Sequence, residues 1–411
     1  MTAPILRFKD QGRSYPDWVQ KKLKDCVTFS KGGSLSKSDL SPYGATPCLL
    51  YGELYTTYGE VTEAVINKTD STEDLVKSQM NDVILPMSGE TAEDIAKATC
   101  IKQEGVAYGG DLMVLRSKSL DGCFLSYSLN SINRRQISRI AQGKTVVHIN
   151  PSRVSDISIN IACLEEQQKI AAFFTALDRK IRINEDKINF LEKIKGESIR
   201  GIFSRKISFF EKKDQQYPQW RTIALRDLCD FKNGISKSKK DFGYGSPFVN
   251  LQDVFGKIEV RKTNFELVNA SEKEIEEFDL LKGDVLFVRS SVKPEGVGLP
   301  SVVCDDLKNT VYSGFLIRSR FKNLALMDDF KKYCFIEPEF RRQVMSKSTS
   351  SANTNINQPS LESIYVKVPS HEEQKKISMF LSLIDKRIEL ATLKLLRLRE
   401  LKKSFMQQMF V

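Results

Sequence analysis

The chain has 411 residues, of which 41% are hydrophobic and 28% charged, and its formal net charge is +11. This length favours two or more domains, and the hydrophobic content excludes a disordered chain. No apolar run reaches the roughly 18 residues of a membrane span, and the first residues lack the apolar core of a signal peptide. The excess of basic residues favours a polyanionic binding partner such as nucleic acid. We therefore expect a cytoplasmic protein.

The cysteines lie far apart in the sequence and form no CxxC pair. They are Cys26, Cys48, Cys100, Cys123, Cys163, Cys229, Cys304 and Cys334. Only His148 and His371 could join them as metal ligands. We expect reduced, mostly buried thiols and no metal site.

The dominant feature of the sequence is an internal repeat. Residues 8–32 return as residues 210–234 at an offset of 202, which places Trp18 and Trp220 in equivalent positions. We assign both tryptophans to core packing, together with the equivalent pair Phe29 and Phe231.

Two further segments extend the repeat over nearly the whole chain. NDVILPMSGETAEDIA, from Asn81, matches GDVLFVRSSVKPEGVG, from Gly283, at the same offset. EEQQKIAAFFTALDRKI, from Glu165, matches EEQKKISMFLSLIDKRI, from Glu372, at an offset of 207. The chain is therefore a duplicated half-protein of about 200 residues.

Each half opens with a mixed region of about 160 residues, in which short β-branched and aromatic runs alternate with Gly, Pro and Ser clusters. Such runs predict strands, and longer apolar-periodic stretches predict helices. The strands are predicted at 83–85, 112–115, 285–288 and 315–317, and the helical stretches at 124–140 and 326–345. The pattern indicates an α/β (α+β) module in each half.

Each module is followed by an unbroken helical pattern of about 40 residues. Sixteen of the twenty heptad core positions in the two patterns together are apolar, which favours a coiled-coil seam over the broader stripe of a helix lying on a sheet. The predicted seam residues are Ile170, Phe174, Leu177, Ile181, Ile188, Leu191, Ile377, Leu381, Ile384, Ile388, Leu395 and Leu398.

A helix of about 40 residues is roughly 60 Å long, which is more than one module of this size can cover. Each long helix therefore needs a partner, and the other long helix is the natural one. Because only a short link separates the first helix from the second module, we expect antiparallel pairing and a dumbbell with a pseudo-two-fold axis. Packing of each long helix on its own module alone stays open as the alternative.

The sequence offers little support for a catalytic centre of its own. It contains no [DNS]PP[YFW] methyltransferase motif, and DFGYG at 241–245 and EGVG at 295–298 are interpreted as turns. SRIAQGKT at 138–145 is a near miss for a phosphate-binding loop, because helical residues precede its glycine. Glu373 and Lys375 form a nuclease-like pair that the first copy does not keep, so we interpret them as helix-start capping and surface charge.

These features together resemble the specificity subunit of type I restriction-modification systems. The resemblance rests on the YPxW lead, the DVI or DVL strand with its Ser-containing loop, the EEQxKI start of each long helix, and the order of all three, written twice. It covers essentially the whole chain.

The resemblance implies a non-catalytic, sequence-specific DNA-binding protein. Residues 1–163 and 207–370 would be target-recognition domains, each reading half of an asymmetric bipartite site in double-stranded DNA, and residues 164–206 and 371–411 would be coiled-coil spacers. Two modification subunits would methylate adenine using S-adenosylmethionine, and two restriction subunits would use ATP and Mg to translocate and cleave DNA. This chain itself would bind no cofactor.

DNA contacts are expected from loop residues that can bind base edges or phosphates. In the first module the candidates are Lys31, Ser34, Ser36, Lys37, Tyr55, Tyr58, Ser88, Glu90, Thr91, Arg134, Arg135, Arg139, Gln142, Lys144 and Thr145. In the second module they are Lys232, Asn233, Ser236, Lys237, Lys239, Lys240, Asn250, Gln252, Arg289, Ser290, Ser291, Lys293, Arg341, Arg342, Lys347, Asn353 and Asn355. For each of these residues, a solvated surface side chain is the alternative.

Two other classes of protein stay open on the sequence alone. One is an enzyme in which a methyltransferase is fused to a recognition domain, and the other is a coiled-coil scaffold that binds only protein. Methylation of DNA by the purified chain with S-adenosylmethionine would indicate the enzyme.

Overall fold

The computed structural model of the chain describes residues 4–117, 119–143, 146–212, 215–350 and 352–410. The chain forms two compact units, one of residues 1–186 with 391–411 and the other of residues 187–390. Each unit contains one module, called here the first head (residues 1–163) or the second head (residues 207–370), and parts of both long helices.

The first head is built mainly of short strands. Its strands are β1 (Lys9–Asp10), β2 (Arg13–Ser14), β3 (Val19–Lys22), β4 (Thr28–Lys31), β5 (Thr46–Leu49), β6 (Val61–Thr62), β7 (Lys68–Thr69), β8 (Asp82–Pro86), β9 (Ser88–Gly89), β10 (Thr99–Ile101), β11 (Ala107–Tyr108), β12 (Leu112–Arg116), β13 (Val147–His148) and β14 (Ser158–Ile161). Its helices are α1 (Glu53–Thr56), α2 (Ala92–Ile95), α3 (Gly122–Asn130), α4 (Arg134–Ile140) and α5 (Pro151–Ser155), and the long helix α6 (Leu164–Phe203) follows.

A five-stranded sheet of order β4-β12-β8-β10-β6 forms the centre of the first head, beside a three-stranded sheet of order β11-β5-β7. Every residue of β8 is buried. Because side chains alternate between the faces of a strand, Val83 and Leu85 join one core while Ile84 joins another. The continuous apolar run in β8 therefore follows from a sheet that is covered on both faces.

The second head repeats this architecture. Its strands are β15 (Phe210–Lys212), β16 (Gln215–Gln216), β17 (Arg221–Ala224), β18 (Cys229–Asn233), β19 (Phe242–Val249), β20 (Glu259–Val260), β21 (Glu266–Val268), β22 (Val285–Val288), β23 (Ser290–Ser291), β24 (Pro300–Val303), β25 (Val311–Tyr312), β26 (Leu316–Phe321), β27 (Thr349–Ser350), β28 (Thr354–Asn355) and β29 (Tyr365–Val368). Its helices are α7 (Leu225–Leu228), α8 (Leu251–Val254), α9 (Glu272–Glu277), α10 (Asp328–Cys334), α11 (Pro338–Lys347) and α12 (Gln358–Glu362), and the long helix α13 (His371–Met409) follows.

The two heads have equivalent strand orders. The second head has a five-stranded sheet of order β18-β26-β22-β24-β20 and a three-stranded sheet of order β21-β19-β25, with each strand in the place of its counterpart. This confirms the predicted fold class. The prediction of one continuous helical stretch at 124–140 and at 326–345 was wrong in one respect. Each stretch is two short helices, α3 and α4 in the first head and α10 and α11 in the second. In the second head the break falls where Glu337 caps α11 and Pro338 occupies its first turn, so α10 cannot continue.

The long helices run antiparallel within each unit. In the first unit Phe173 packs edge-on against Phe405, and Phe174 stacks on Phe410 with ring centroids 5.8 Å apart. In the second unit Lys195 forms an ion pair of 2.5 Å with Asp385. In the first unit Phe173 lies beside Phe405 and the later Asp178 beside the earlier Lys402, so position numbers rise along one helix as they fall along the other, as expected from the short link.

None of the twelve predicted seam residues is fully exposed. Eight of them are buried. The other four, Ile181, Ile188, Ile388 and Leu398, are half-buried. The long helices also pack on the heads, because Phe174 belongs to the core of the first head and Leu381 belongs to the core of the second.

The repeated EEQ motif fastens each long helix to its head. Glu166 is buried and accepts hydrogen bonds from the Trp18 indole N–H at 3.0 Å and from Arg7. Glu373 is equally buried and accepts from Trp220 at 2.7 Å and from Arg205. The interpretation of Glu373 as surface charge was therefore wrong.

A second fastening uses a tyrosine, an aspartate and a lysine in each unit. The Tyr127 hydroxyl donates to Asp178, which lies 2.6 Å from Lys402 of the other long helix. In the second unit Tyr333 donates to Asp385, which pairs with Lys195. Each triad joins one head to both long helices. Each head is therefore bonded to the long helices at two places, the tryptophan–glutamate contact and this triad.

No helix in the described part of the chain is long and apolar enough to cross a membrane. All eight cysteines are free thiols, and five of them are buried. Among the described residues no group of three or more His, Cys, Asp and Glu side chains could hold a metal ion.

Candidate nucleic-acid interface

A cleft of about 450 Å³ in the second head brings together polar residues from separate segments of the chain. Six of the predicted DNA contacts line it, namely Ser236, Lys237, Asn250, Arg289, Ser290 and Asn355. They come from the loop after β18, the start of α8, the junction of β22 with β23, and β28. The cleft therefore groups candidates that lie up to about 120 residues apart in sequence.

The repeated glycine turn forms one wall of this cleft. A Cβ atom at Gly234 would overlap the carbonyl oxygens of Tyr312 and Ser313. In the first head a Cβ atom at Gly32 would likewise overlap the carbonyl oxygen of Gly109. Only glycine allows two backbone segments to approach this closely, which explains its presence in both copies.

The two basic residues that line the cleft have different environments. Lys237 forms an ion pair of 2.8 Å with Glu274, and this hydrogen bond lowers the pKa of the Glu274 carboxyl. The exposed Arg289 forms no ion pair with any described residue, and its Nη1 donates to the carbonyl oxygen of Gly314 at 3.3 Å. Arg289 is therefore the cation that the cleft leaves available.

Phe315 stands at the rim of the cleft with 57% of its surface exposed. The sequence pattern predicted this residue only as part of a strand, but the strand β26 begins one residue later. A large aromatic residue at the junction between a Ser-Gly turn and a buried strand was the signal that could have identified it. Exposed aromatic residues in polar surroundings are common in binding sites.

The same strand register identifies the equivalent positions in the first head. The backbone N–H of Arg289 donates to the carbonyl oxygen of Phe315 at 2.8 Å, and that of Met87 donates to the carbonyl oxygen of Asp111 at 2.8 Å. The buried Met87 of the first head therefore corresponds to the exposed Arg289 of the second. The exposed Asp111 corresponds to Phe315.

Two further equivalent positions also differ. Val249 pairs with β25 as Leu49 pairs with β11, so Asn250 corresponds to the buried Leu50. Each head also has a further sheet, of order β13-β9 in the first head and β23-β28-β27 in the second, in which Asn355 pairs with β23 as His148 pairs with β9. The backbones of the two heads match at these positions while the side chains do not.

The structure places most of the other candidates of the first head at the surface. Lys31, Ser34, Ser36, Lys37, Glu90, Thr91, Arg134, Arg135, Arg139 and Gln142 are exposed, and Tyr55 and Ser88 are half-buried. Lys144 and Thr145 lie outside the described residues. The side chain of Ser88 is 3.0 Å from Nδ1 of the exposed His148, which was not among the predicted DNA contacts.

Both tyrosine candidates of the first head are engaged inside it. Tyr58 is buried, and its hydroxyl accepts a hydrogen bond from the backbone N–H of Ile66, so we reassign it to the core. The hydroxyl of Tyr55 donates to the carbonyl oxygen of Ser88, and burial raises the pKa of Tyr55.

In the second head the candidates outside the cleft differ in exposure. Lys239, Lys240, Gln252, Lys293, Arg342, Lys347 and Asn353 are exposed, Lys232, Asn233 and Arg341 are half-buried, and Ser291 is buried. Lys232 pairs with Glu277 at 2.8 Å. Nη2 of Arg341 donates to two carbonyl oxygens of the loop at 295–297, and burial lowers the pKa of Arg341. We reassign Ser291 and Arg341 to the framework of the head.

Comparison with known proteins identifies the class of this two-headed fold. Residues 15–193 and 218–399 match the profile described as the type I restriction modification DNA specificity domain. The chain belongs to this family. It is a specificity subunit of a type I restriction-modification system, the non-catalytic component that recognises DNA sequence, as the resemblance implied.

Relatives and solved structures match over nearly the full length. The chain is 23% identical to the EcoKI specificity subunit of Escherichia coli (strain K12), over 89% of this chain and 82% of that one. It is 22% identical to the MjaVIII specificity subunit of Methanocaldococcus jannaschii, over 95% and 91%. The crystal structure of the S subunit from M. genitalium covers 100% of this chain and 99% of that one, with a TM-score of 0.63 and 15% identity.

A chain from a structure on complex assembly and conformational transition of the type I R-M system has a TM-score of 0.56 and 18% identity. It covers 95% of this chain and 97% of that one. The chain is therefore a component of a type I restriction-modification complex.

Proposed function

We propose that each head reads one half of an asymmetric, bipartite site in double-stranded DNA. One observation carries this proposal: the two heads have the same strand order but present different side chains at equivalent positions around the cleft. Direct readout depends on the hydrogen-bonding groups of side chains, so different side chains on one framework select different bases. Two unequal readers require two unequal half-sites.

The proposed partners are two modification subunits, which methylate adenine, and two restriction subunits, which translocate and cleave DNA. S-adenosylmethionine, ATP and Mg would be bound by these subunits and not by this chain. The complex would act in the cytoplasm, where it meets DNA.

Exposed apolar residues on the long helices support docking of partner subunits. On α13, Met379 is 61% exposed, Leu383 58% and Leu390 57%. These residues lie outside the seam, whose Ile377 and Leu381 are buried. Large apolar side chains that recur along a solvent-facing part of a helix mark a protein contact.

The experiment that tests this function is a methylome of cells that express this chain with its modification subunit. We expect methylated adenines in one motif made of two different half-sites separated by a fixed spacer. Cells that contain the modification subunit alone provide the control and should show no such motif. A symmetric or continuous motif would contradict the two-reader proposal, and methylation of DNA by this chain alone would contradict its non-catalytic role.

A further inference from the structure

We propose that Arg289 reads a guanine in the half-site of the second head, and that the first head has no guanine reader at the equivalent position. This inference rests on the proposed function and assigns one base contact within it. Arg289 lies between β22 and β23 and lines the cleft, in a segment whose backbone is fixed on both sides.

The backbone of Arg289 is fixed by two hydrogen bonds. Its N–H donates to the carbonyl oxygen of Phe315 at 2.8 Å, and its carbonyl oxygen accepts from the N–H of Ile356 at 3.0 Å. These bonds link the residue to two neighbouring segments of the head. A reader that is positioned before DNA arrives loses less conformational entropy on binding, which favours a specific contact over a loose one.

The guanidinium of Arg289 has two neighbouring N–H groups free to donate to a base. Nη1 donates to Gly314, while Nε and Nη2 have no partner among the described residues. An arginine uses two parallel N–H groups to donate to O6 and N7 of guanine in the major groove. The nearby Lys237 is already paired with Glu274, so Arg289 is the better candidate for this contact.

The asparagines of the cleft are less suited to the equivalent contact with adenine, which needs both polar atoms of the amide. The side-chain oxygen of Asn250 accepts from the N–H of Leu251 at 2.8 Å, where it caps α8. Nδ2 of Asn355 donates to the carbonyl oxygen of Asn353 at 2.9 Å. Each asparagine therefore already uses one hydrogen-bonding site of its amide, which restricts how the amide can be oriented towards a base.

The exposed ring of Phe315 stands beside this arginine at the rim of the cleft. An apolar ring at this place would exclude water from the contact between guanidinium and base, which strengthens the hydrogen bonds. In the first head the equivalent residues are Met87, which has no donor, and Asp111, which can only accept when ionised. The side chains at these two positions cannot donate two hydrogen bonds to guanine.

The test uses the complex of this chain with its modification subunit. The parent methylome gives the motif, and Arg289→Gln should relax the requirement for a G·C pair at one position of one half-site while the other half-site stays unchanged. Discrimination at that position should fall roughly 10- to 100-fold, as measured with duplexes that carry each of the four base pairs there. Arg226→Gln, an exposed arginine on α7 of the same head, is the matched control and should leave the motif unchanged.

Three results would overturn the assignment. The first is a motif that keeps its full specificity in Arg289→Gln, and the second is a parent half-site without any G·C pair. The third is an equal decrease in affinity for all four duplexes, which would indicate a phosphate contact. Absence of a bipartite motif with the parent chain would instead contradict the proposed function, so the two failures are distinguishable.

Discussion

The indole N–H of Trp18 donates to the buried carboxylate of Glu166 at 3.0 Å across a separation of 148 residues. Trp220 makes the same contact with Glu373 in the second head, across 153 residues. The two conspicuous sequence motifs of the family resemblance, YPxW and EEQ, are therefore the two sides of one structural contact. Their hydrogen bonds hold each head on its long helix.

Removal of this contact should destabilise the second unit. Glu373→Ala removes the acceptor of Trp220 and leaves Arg205 without its carboxylate, and hydrogen bonds to charged groups contribute about 1.5–3 kcal/mol each. We expect the free energy of unfolding to fall by about 2–4 kcal/mol. Urea unfolding followed by fluorescence in a Trp18→Phe background, where Trp220 is the remaining tryptophan, measures this.

The exposed neighbour of Glu373 provides the control for this measurement. Glu372→Ala should change the free energy of unfolding by less than about 0.5 kcal/mol, because a surface substitution removes no buried partner. If Glu373→Ala lowered the free energy of unfolding as little as Glu372→Ala, the contact between Trp220 and Glu373 would not be stabilising.

A buried asparagine costs stability at a heptad core position of α6, seven residues from the seam residues Leu177 and Leu191. Nδ2 of Asn184 is buried and has no hydrogen-bond partner among the described residues. An unsatisfied buried donor costs about 1–3 kcal/mol, so Asn184→Leu should raise the free energy of unfolding by about that amount. Asn189→Leu, at an exposed position of the same helix, is the matched control and should have little effect. Destabilisation by Asn184→Leu in urea or thermal unfolding would indicate that the amide has a stabilising partner.

Exposed lysines of the second head should bind phosphates. Lys239 and Lys240 are exposed, so Lys239→Ala with Lys240→Ala should weaken DNA binding and reduce the log–log salt slope by about 0.9 for each phosphate that is no longer neutralised. Lys237→Ala should leave that slope nearly unchanged, because Lys237 is already paired with Glu274. Binding isotherms of the complex between about 50 and 200 mM salt, the range over which phosphate contacts weaken, would measure both slopes. A larger slope change for Lys237→Ala than for the double variant would reverse the assignment.

Much of the fold was predictable because it depends on patterns that occur in both halves of the internal repeat. Val83, Ile84 and Leu85 alternate between two cores because side chains repeat every two residues along a strand. The buried positions of the long helices follow the heptad repeat in the same way. The site was less predictable, because its members come from distant segments. Nothing local distinguishes Lys237, which is paired, from Lys239, which is exposed.

Burial also reversed several assignments that residue type had suggested, and Tyr58 and Glu373 show why. Tyr58 is an aromatic residue with a hydroxyl near a glycine, yet its hydroxyl is used by Ile66. Glu373 is a charged residue in a charged helix start, yet its carboxylate is buried against Trp220. The hydrogen-bond partner decides each case, and neither partner, eight residues away for Tyr58 and 153 for Glu373, can be recognised from residue type.

Exchange of one head tests most directly whether each head reads its own half-site. Residues 8–163 would be replaced by the matching head of a related specificity subunit. The donor should keep the equivalents of Trp18 and Tyr127, because these residues bond to Glu166 and Asp178 outside the exchanged segment.

Methylome sequencing of cells that express this chimera with the modification subunit gives the measurement. Each head has a hydrophobic core of its own, and contributions from independent sites are nearly additive, so we expect one half-site to change to that of the donor and the other to remain that of the parent. Disappearance or alteration of the half-site assigned to residues 207–370, in a chimera that still methylates DNA, would contradict independent reading by the two heads.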